Sequence, residues 1–374
     1  MEKNIKKDIE IQNPFPIEND PELVNISKKP IRYAVVGYGG MAEFHQKRLD
    51  HLGLFELKGV CDIDYLRSEH ATWNGLESYP SVESIASDPE VEMVIVNVPS
   101  CGDGKIISTL AKGKKHIFSE KHAAVNLDTW DAMVNTTHEN DVVFMLNHNR
   151  RLDKDFCTVQ DILRRGVLGR VYKIVNTVVG GHGVFKGWMK EKSMYGGMML
   201  DWGTHLVDQM CLLDSSEVSI QNCVLSHVQG YEVEDGFELD LVYASGLYAK
   251  IVVDTNTHIL QPRWQIWGTN GSAVIYDWDC IGQVVIVDNS KDVIMGVQVG
   301  NAYSKSMSPR IPESLIKKNL PKVSVDHDHY YKEMAKCVRN GKRPTQDNNG
   351  IRKVISILNE ALNTGRKIFL SDNE

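Results

Sequence analysis

The chain has 374 residues, 42% of them hydrophobic and 24% charged, a soluble composition long enough for two domains with a core each. Its net charge of −7 excludes the basic coat that draws proteins to nucleic acid or anionic membranes. Seven cysteines without a CxxC pair make no disulfide framework, and neither a membrane-length apolar run nor a secretory apolar core is found, so a cytoplasmic protein is expected.

Residues 1–30 are polar, with Pro14, Pro16, Pro21 and Pro30 spread through them. Such a segment cannot bury enough surface to form a domain alone. It reads as an N-terminal arm, either disordered or laid across a neighbouring subunit with Phe15 and Ile17 as anchors.

From Ile31 short apolar runs (IRYAVVG, FELKGVC, VEMVIVNV, KHIFSE, VVFML) alternate with helix-like stretches at 41–52, 64–73, 104–112 and 127–139. This rhythm predicts a doubly wound parallel sheet, a Rossmann-type domain over 31–148. The first strand runs into Gly37-Tyr38-Gly39-Gly40-Met41-Ala42, a GxGxxA turn opening a helix. Gly37 permits the tight turn, Gly39 lets the backbone approach a pyrophosphate, and Ala42 allows close helix packing. The helix N-terminus, at Gly40 and Met41, offers unpaired N–H groups to phosphate. Asp62, ending the next strand, is placed for the adenosine ribose hydroxyls and would repel a 2′-phosphate, which favours NAD over NADP. Arg67 nearby opposes that preference.

Two further stretches carry candidate chemistry. Ser119-Glu120-Lys121-His122 follows the strand KHIF at the carboxyl end of the sheet, where ligands of open α/β sheets bind. A lysine beside a cationic nicotinamide and a histidine is expected to have a lowered pKa and to share in proton transfer. In GGMMLDWGTHLVD, Asp201 and His205 are four apart, so on a helix they share a face. A histidine can take the proton of a carbinol, and a nearby carboxylate can orient the imidazole or hold a hydroxyl.

After Asn149 the pattern changes. A helix at 153–165, a long strand VYKIVNTVV and Gly-rich sequence over 180–197 precede six strands separated only by turns between 217 and 290. Consecutive strands without crossover helices predict a largely antiparallel, open sheet in an α+β domain over 149–374. Two late helices, 327–339 and 348–363, end it and are candidates to pack back on the first domain. One face of that sheet is expected to carry apolar side chains, such as those of VVIV and WQIW, and to form a homo-oligomer. Asp326-His327-Asp328-His329 looks like metal ligands, but aspartate at a helix start is ordinary capping, so no metal is expected. His45 and His51 read as solvated helix residues without a role.

GYGGMA, SEKH, NHNRR at 147–151, RRGVLGRV at 164–171 and GGMMLDWGTHLVD together resemble the Gfo/Idh/MocA oxidoreductases over residues 31–370. The resemblance implies reversible oxidation of a ring hydroxyl of a sugar, glycoside or cyclic polyol, with substrate held between the domains. The family's Glu-Lys-Pro motif falls on Glu120, Lys121 and His122; its catalytic lysine, aspartate and histidine fall on Lys121, Asp201 and His205. The departure is His122 in place of proline, which removes a restraint on Lys121 and offers a second proton carrier or a bond to cofactor. Gly37, Gly39, Gly40, Met41, Asp62, Asn97, Pro99, Glu120 and His122 are the expected cofactor contacts; Arg150, His182, Trp188 and Tyr195 are expected to face substrate. Two other readings stand beside the dehydrogenase, which includes oxidation at C3 of a glucoside. One is a glycosidase using NAD as a transient oxidant, and the other a non-catalytic nucleotide-binding regulator.

Overall fold

The computed structural model describes residues 17–99, 102–184, 187–291, 298–299, 305–306 and 310–370; Phe15 lies outside them. A 3-10 turn (Ile17–Asn19) leads into α1 (Pro21–Ser27), capped by Asp20, whose carboxylate accepts from the N–H groups of Glu22 and Leu23. The first domain then follows. Strands β1 (Ile31–Val36), β2 (Phe55–Cys61), β3 (Glu77–Ser78), β4 (Met93–Val96), β5 (His116–Ser119) and β6 (Phe144–Leu146) alternate with α2 (Gly40–Leu52), α3 (Tyr65–Trp73), α4 (Val82–Ser87), α5 (Asp103–Lys112) and α6 (Leu127–Glu139). The sheet is wholly parallel in the order β3-β2-β1-β4-β5-β6. Its middle strands are buried on both faces, which is why β4 reads MVIV without polar alternation.

The second layer starts with α7 (Lys154–Arg164) and β7 (Val171–Val179), then a π-helical turn (Met199–Gly203) running into α8 (Thr204–Leu213). Strands β8 (Val218–His227), β9 (Gly236–Tyr243), β10 (Tyr248–Asp254), β11 (Trp264–Gly268), β12 (Gly271–Ile275) and β13 (Gly282–Val287) follow; β14 (Gln298–Val299) and β15 (Lys305–Ser306) pair only with each other. β16 (Leu315–Asn319) and β17 (Arg366–Phe369) close the two edges of a nine-stranded sheet ordered β16-β13-β12-β11-β7-β10-β9-β8-β17. It is mixed: β7–β10 and β8–β17 pair in parallel and the rest antiparallel.

Two late helices join the layers. In α9 (His329–Asn340), Tyr330, Tyr331, Met334, Ala335 and Cys337 pack into the same core as β1 and α2. In α10 (Asn348–Thr364), Ile351 and Ile355 enter the other Rossmann core, while Val354, Ile357, Leu358 and Ala361 enter the core of the large sheet. One helix therefore spends its two apolar faces on two domains.

Two expectations change here. Residues 17–30 lie on their own chain: Leu23 and Ile26 are buried with α9, and Asp20 pairs with Lys336 at 2.5 Å, because the helix supplies the apolar face that the composition hides. The open face of the large sheet is less apolar than expected. Strand alternation puts Trp264, Ile266 and Val284 in the core and leaves Trp267 and Val285 outside. There Lys173 stands over the rings of Trp267 and Tyr248, at 5.1 and 5.5 Å, and Lys250 pairs with Glu238 and Asp240.

Because Leu358 is 3% exposed within the larger core, Leu358→Ala is expected to lower the unfolding free energy by about 2–5 kcal/mol, read from denaturant melts of the two proteins.

Candidate active site

The cofactor side is shaped by backbone. Gly37 has φ +85°, and a Cβ there would stand 2.7 Å from the carbonyl oxygen of Asn97, so the turn closes only with glycine. Gly39 caps α2 without a side-chain hydrogen bond, and a Cβ on Gly40 would meet nothing within 4 Å. The first N–H groups of α2 thus have no side-chain cap, and the helix dipole there favours an anion. Met41 is exposed beside them. Asn97, just past β4, has both amide polar atoms buried without a protein partner, and Pro99 follows two residues on. A glycine cradle and an unpartnered buried amide fit a dinucleotide.

Asp62 directly follows β2, with its side chain 3% exposed. It accepts from the Tyr38 N–H at 2.6 Å and the Asp64 N–H at 2.8 Å, and Arg67 lies 3.4 Å away. Arg67 also pairs with Asp64 at 3.4 Å, so two carboxylates face one guanidinium.

The centre of the site joins the two layers. Lys121 follows β5, and its Nζ donates to the Asp201 carboxylate and, at 3.0 Å, to the Asp201 carbonyl oxygen. Asp201 comes from the π-helical turn; its carboxylate serves Lys121, and no hydrogen bond joins it to His205. Of the two roles open to this carboxylate, orienting the imidazole or holding a hydroxyl, the first has no hydrogen bond here; the π-turn places Asp201 against Lys121. The Lys121–His122 peptide bond is cis.

Three buried histidines surround Lys121. Burial, then the Lys121 and Arg150 charges, hold the His205 pKa well below the ordinary 6.5; its Nδ1 is buried without a partner. Burial pushes His148 down to about 4 and His122 down to about 3, and both rings have unpartnered nitrogens. With so low a pKa His122 stays neutral near pH 7. The His148 ring stands edge-on to His205 at 6.4 Å. Behind them Asp208 takes a two-pronged hydrogen bond from Arg151, at 2.7 and 2.5 Å.

Glu120 is bonded within the first domain. Its Oε1 accepts from Asn147 Nδ2 at 2.7 Å and meets His45 Nε2 at 2.8 Å, while His45 Nδ1 meets the Tyr331 hydroxyl at 2.6 Å. These contacts keep the buried Glu120 carboxyl below its ordinary range despite burial. His45 was read as solvated; it is fully buried, since its helix is covered by α9, a segment nearly 300 residues away in sequence. His51 is exposed.

Arg150 pairs with Asp153 at 3.0 Å and lies against two indoles, 4.1 Å from Trp202 and 5.2 Å from Trp278, whose rings are 6.1 Å apart. Trp202 is 6.4 Å from the His205 ring. Neither tryptophan was expected here; Trp202, next to Asp201, was the legible one. Trp188 and Tyr195 are half-buried on 3-10 turns before the glycine pair, Tyr195 with φ +56°, and His182 is exposed. No contact among the described residues joins Trp188 or Tyr195 to Lys121, Asp201 or His205. The acidic-histidine run at 326–329 is engaged otherwise: Asp328 with Arg48, Asp326 with Lys332. No metal-ligand cluster is found among the described residues, and no helix among them is long and apolar enough to cross a membrane.

Comparison with known proteins adds a family. Residues 31–148 match a model described as "Oxidoreductase family, NAD-binding Rossmann fold", and residues 156–274 match the GFO/IDH/MocA C-terminal domain. The chain is 25% identical over 350 residues to scyllo-inositol 2-dehydrogenase (NADP(+)) of Bacillus subtilis, covering 90% of this chain and 94% of that protein. It is 28% identical over 142 residues to myo-inositol 2-dehydrogenase of Thermotoga maritima, covering 37% and 42%. A crystal structure of an NAD-binding protein from Listeria innocua superposes with a TM-score of 0.84 at 28% identity, covering 90% of this chain and 97% of that one.

The histidines make stability depend on pH in one direction. Their folded pKa values lie below 6.5, so the unfolded chain takes up protons first; the stabilisation is complete above about pH 6.5 and is lost as pH falls toward 4. For His148, a drop from 6.5 to about 4 corresponds to about 3 kcal/mol. Thermal midpoints measured from pH 7.5 to 4.5 are expected to fall steeply below 6.5, and less steeply in His148→Gln.

Proposed function

Because the chain belongs to the Gfo/Idh/MocA oxidoreductases, we propose that it oxidises, reversibly, a secondary ring hydroxyl of a cyclic polyol or sugar. It is a nicotinamide-dependent oxidoreductase; the bound nicotinamide supplies the acceptor or donor of hydride. The observation that carries the reading is the meeting of Lys121, Asp201 and His205 at the carboxyl end of β5. Asp201 holds the Lys121 ammonium in place. A substrate hydroxyl against that ammonium has its developing negative charge stabilised as its proton leaves. His205, neutral near pH 7, accepts that proton in oxidation and returns it in reduction. Two relatives named as inositol 2-dehydrogenases support a polyol with adjacent ring hydroxyls, and the Trp202 and Trp278 rings beside Arg150 suit the C–H faces of such a ring.

The cofactor preference proposed is NAD. Asp62 and Asp64 together outweigh Arg67, so a 2′-phosphate would meet a net negative corner, whereas ribose hydroxyls would meet acceptors. The relative named for NADP makes this the sharper test. A homo-oligomer through the outer face of the large sheet is part of the same reading, resting on Trp267 and Val285 in that face; light scattering giving a monomer mass would remove it.

Absorbance at 340 nm with NAD and a panel of inositols, sugars and glucosides is expected to rise for one of these classes. Lys121→Met and His205→Asn should each lower kcat/KM on that substrate by about 10²–10⁴-fold; wild-type rates in both would overturn the assignment. Asp62→Ala should raise the KM for NAD and lower the ratio of NAD to NADP efficiency by about tenfold or more, measured by varying each cofactor at fixed substrate, since about 1–3 kcal/mol goes with a charged hydrogen-bond partner.

A further inference from the structure

The loop between β8 and β9 brings a buried carboxylate, Glu234, against the start of the helix that carries Asp201 and His205. Glu234 is 4% exposed. Its Oε1 accepts from the Met199 N–H at 2.8 Å, and its carbonyl oxygen accepts from the Met198 N–H at 3.2 Å. Its carboxylate also lies on Gly197: a Cβ there would stand 2.4 Å from Oε1 and 2.9 Å from Oε2. Gly197 itself has φ +100°, and its carbonyl oxygen receives the Asp201 N–H at 3.1 Å. The adjoining Asp235 ties down the loop that carries Glu234, accepting from the N–H groups of Val228 and Gln229 and from Asn256.

We propose that Glu234 is a positioning residue: by gripping the glycine-started first turn it sets where Asp201 meets Lys121. The inference rests on reading Lys121 and Asp201 as catalytic machinery. Several observations separate this role from ordinary capping. Caps are usually short side chains at the surface, of the kind Asp20 and Asp347 provide to α1 and α10. Glu234 instead reaches in from another element and is buried, and among the described residues no Lys or Arg pairs with it. The charged groups facing it are Lys367 of β17 and the adjoining Asp235, and burial pushes its carboxyl up to about 7. An unpaired buried carboxylate destabilises the fold, so its presence at the turn carrying Asp201 is explained by what it holds there and not by stability.

The sign of that destabilisation gives the test. A carboxyl whose folded pKa lies above the unfolded value of 4.5 disfavours folding increasingly as pH rises through that interval, to its full extent above about pH 7. Glu234→Gln keeps the shape and one acceptor oxygen but removes the charge. At pH 8.5 its thermal midpoint is expected to rise by about 2–4 °C or more, with the difference vanishing near pH 4.5. Amide exchange of Met199, followed by mass spectrometry on the peptide spanning Gly197 to His205, should become several-fold faster, because a neutral acceptor holds an N–H less strongly than a charged one. With NAD and the polyol or sugar most active at 340 nm, kcat should fall about tenfold at an unchanged KM for NAD. That combination, a more stable protein with faster local exchange and a lower kcat, is the predicted signature. A wild-type kcat in Glu234→Gln overturns the proposal, as does a kcat loss accompanied by a lower midpoint and a higher KM for NAD, which marks general structural damage. Lys121→Met is run beside it: if that variant keeps wild-type rates the site assignment itself fails, and if it is inactive while Glu234→Gln is not, only the role of Glu234 fails.

Discussion

The contact on which the molecule depends is the one between Lys121 and Asp201. Each residue belongs to a different sheet system: Lys121 leaves the end of β5 in the parallel sheet, and Asp201 sits in the turn packed on the nine-stranded sheet. Their side chains are 18% and 26% exposed, so the pair is part-screened and contributes little stability of its own. Its importance is positional. An amine set at a strand end is aimed at nothing until a second domain supplies the carboxylate, and α10, with Ile355 in one core and Leu358 in the other, holds those domains in register. A shift of that helix would move the site before it unfolded either domain.

Around this pair several buried polar groups lack partners. Some buried groups are fully paired, as where the Trp264 indole donates to Asp155 and Asn176 bonds Gln209, and single atoms of Tyr33 and His227 go unpartnered away from Lys121. At the site His122, His148, His205 and Asn97 each leave polar atoms buried and unpartnered. Each such atom costs free energy when nothing replaces the water it lost. The concentration of these losses beside Lys121 and beneath the Gly37 turn marks where the protein has kept polar groups for a ligand's use. The burial that leaves these rings unpartnered also holds the three imidazoles neutral near pH 7.

What could be read from the chain was what is local. The Gly37 turn is legible because strand, glycines and helix are contiguous, and the alternation of apolar runs dictates a parallel sheet. Lys121, Asp201 and His205 were picked out by motif, through resemblance, and their meeting required the fold. The polar edge strands went unseen: β16 reads LIKKN and β17 RKIF, both with exposed side chains that carry no period-2 signal. His45 was misread for a related reason. On its own helix it looks polar and outward, and only α9, arriving from the far end of the chain, buries it between Tyr331 and Glu120. Trp278, on the turn between β12 and β13, and Glu234, between β8 and β9, likewise meet the site through tertiary contacts that no local pattern announces.

The two halves of the site are built from different material, and this bears on how the protein can change. The cofactor half is made by main chain: at Gly37 a single added carbon collides with the Asn97 carbonyl, so few substitutions are compatible with both fold and ligand. The half proposed for substrate is made by side chains on turns, Arg150 against Trp202 and Trp278, which can be exchanged without moving a strand. Loops presented by a rigid scaffold tolerate such exchange. On the proposed reading, variation in substrate is physically easiest at Trp278, while the cofactor cradle stays fixed by the glycine turn. Lys121 lies between the two halves and answers to both, because it follows a Rossmann strand yet takes its partner from the substrate domain.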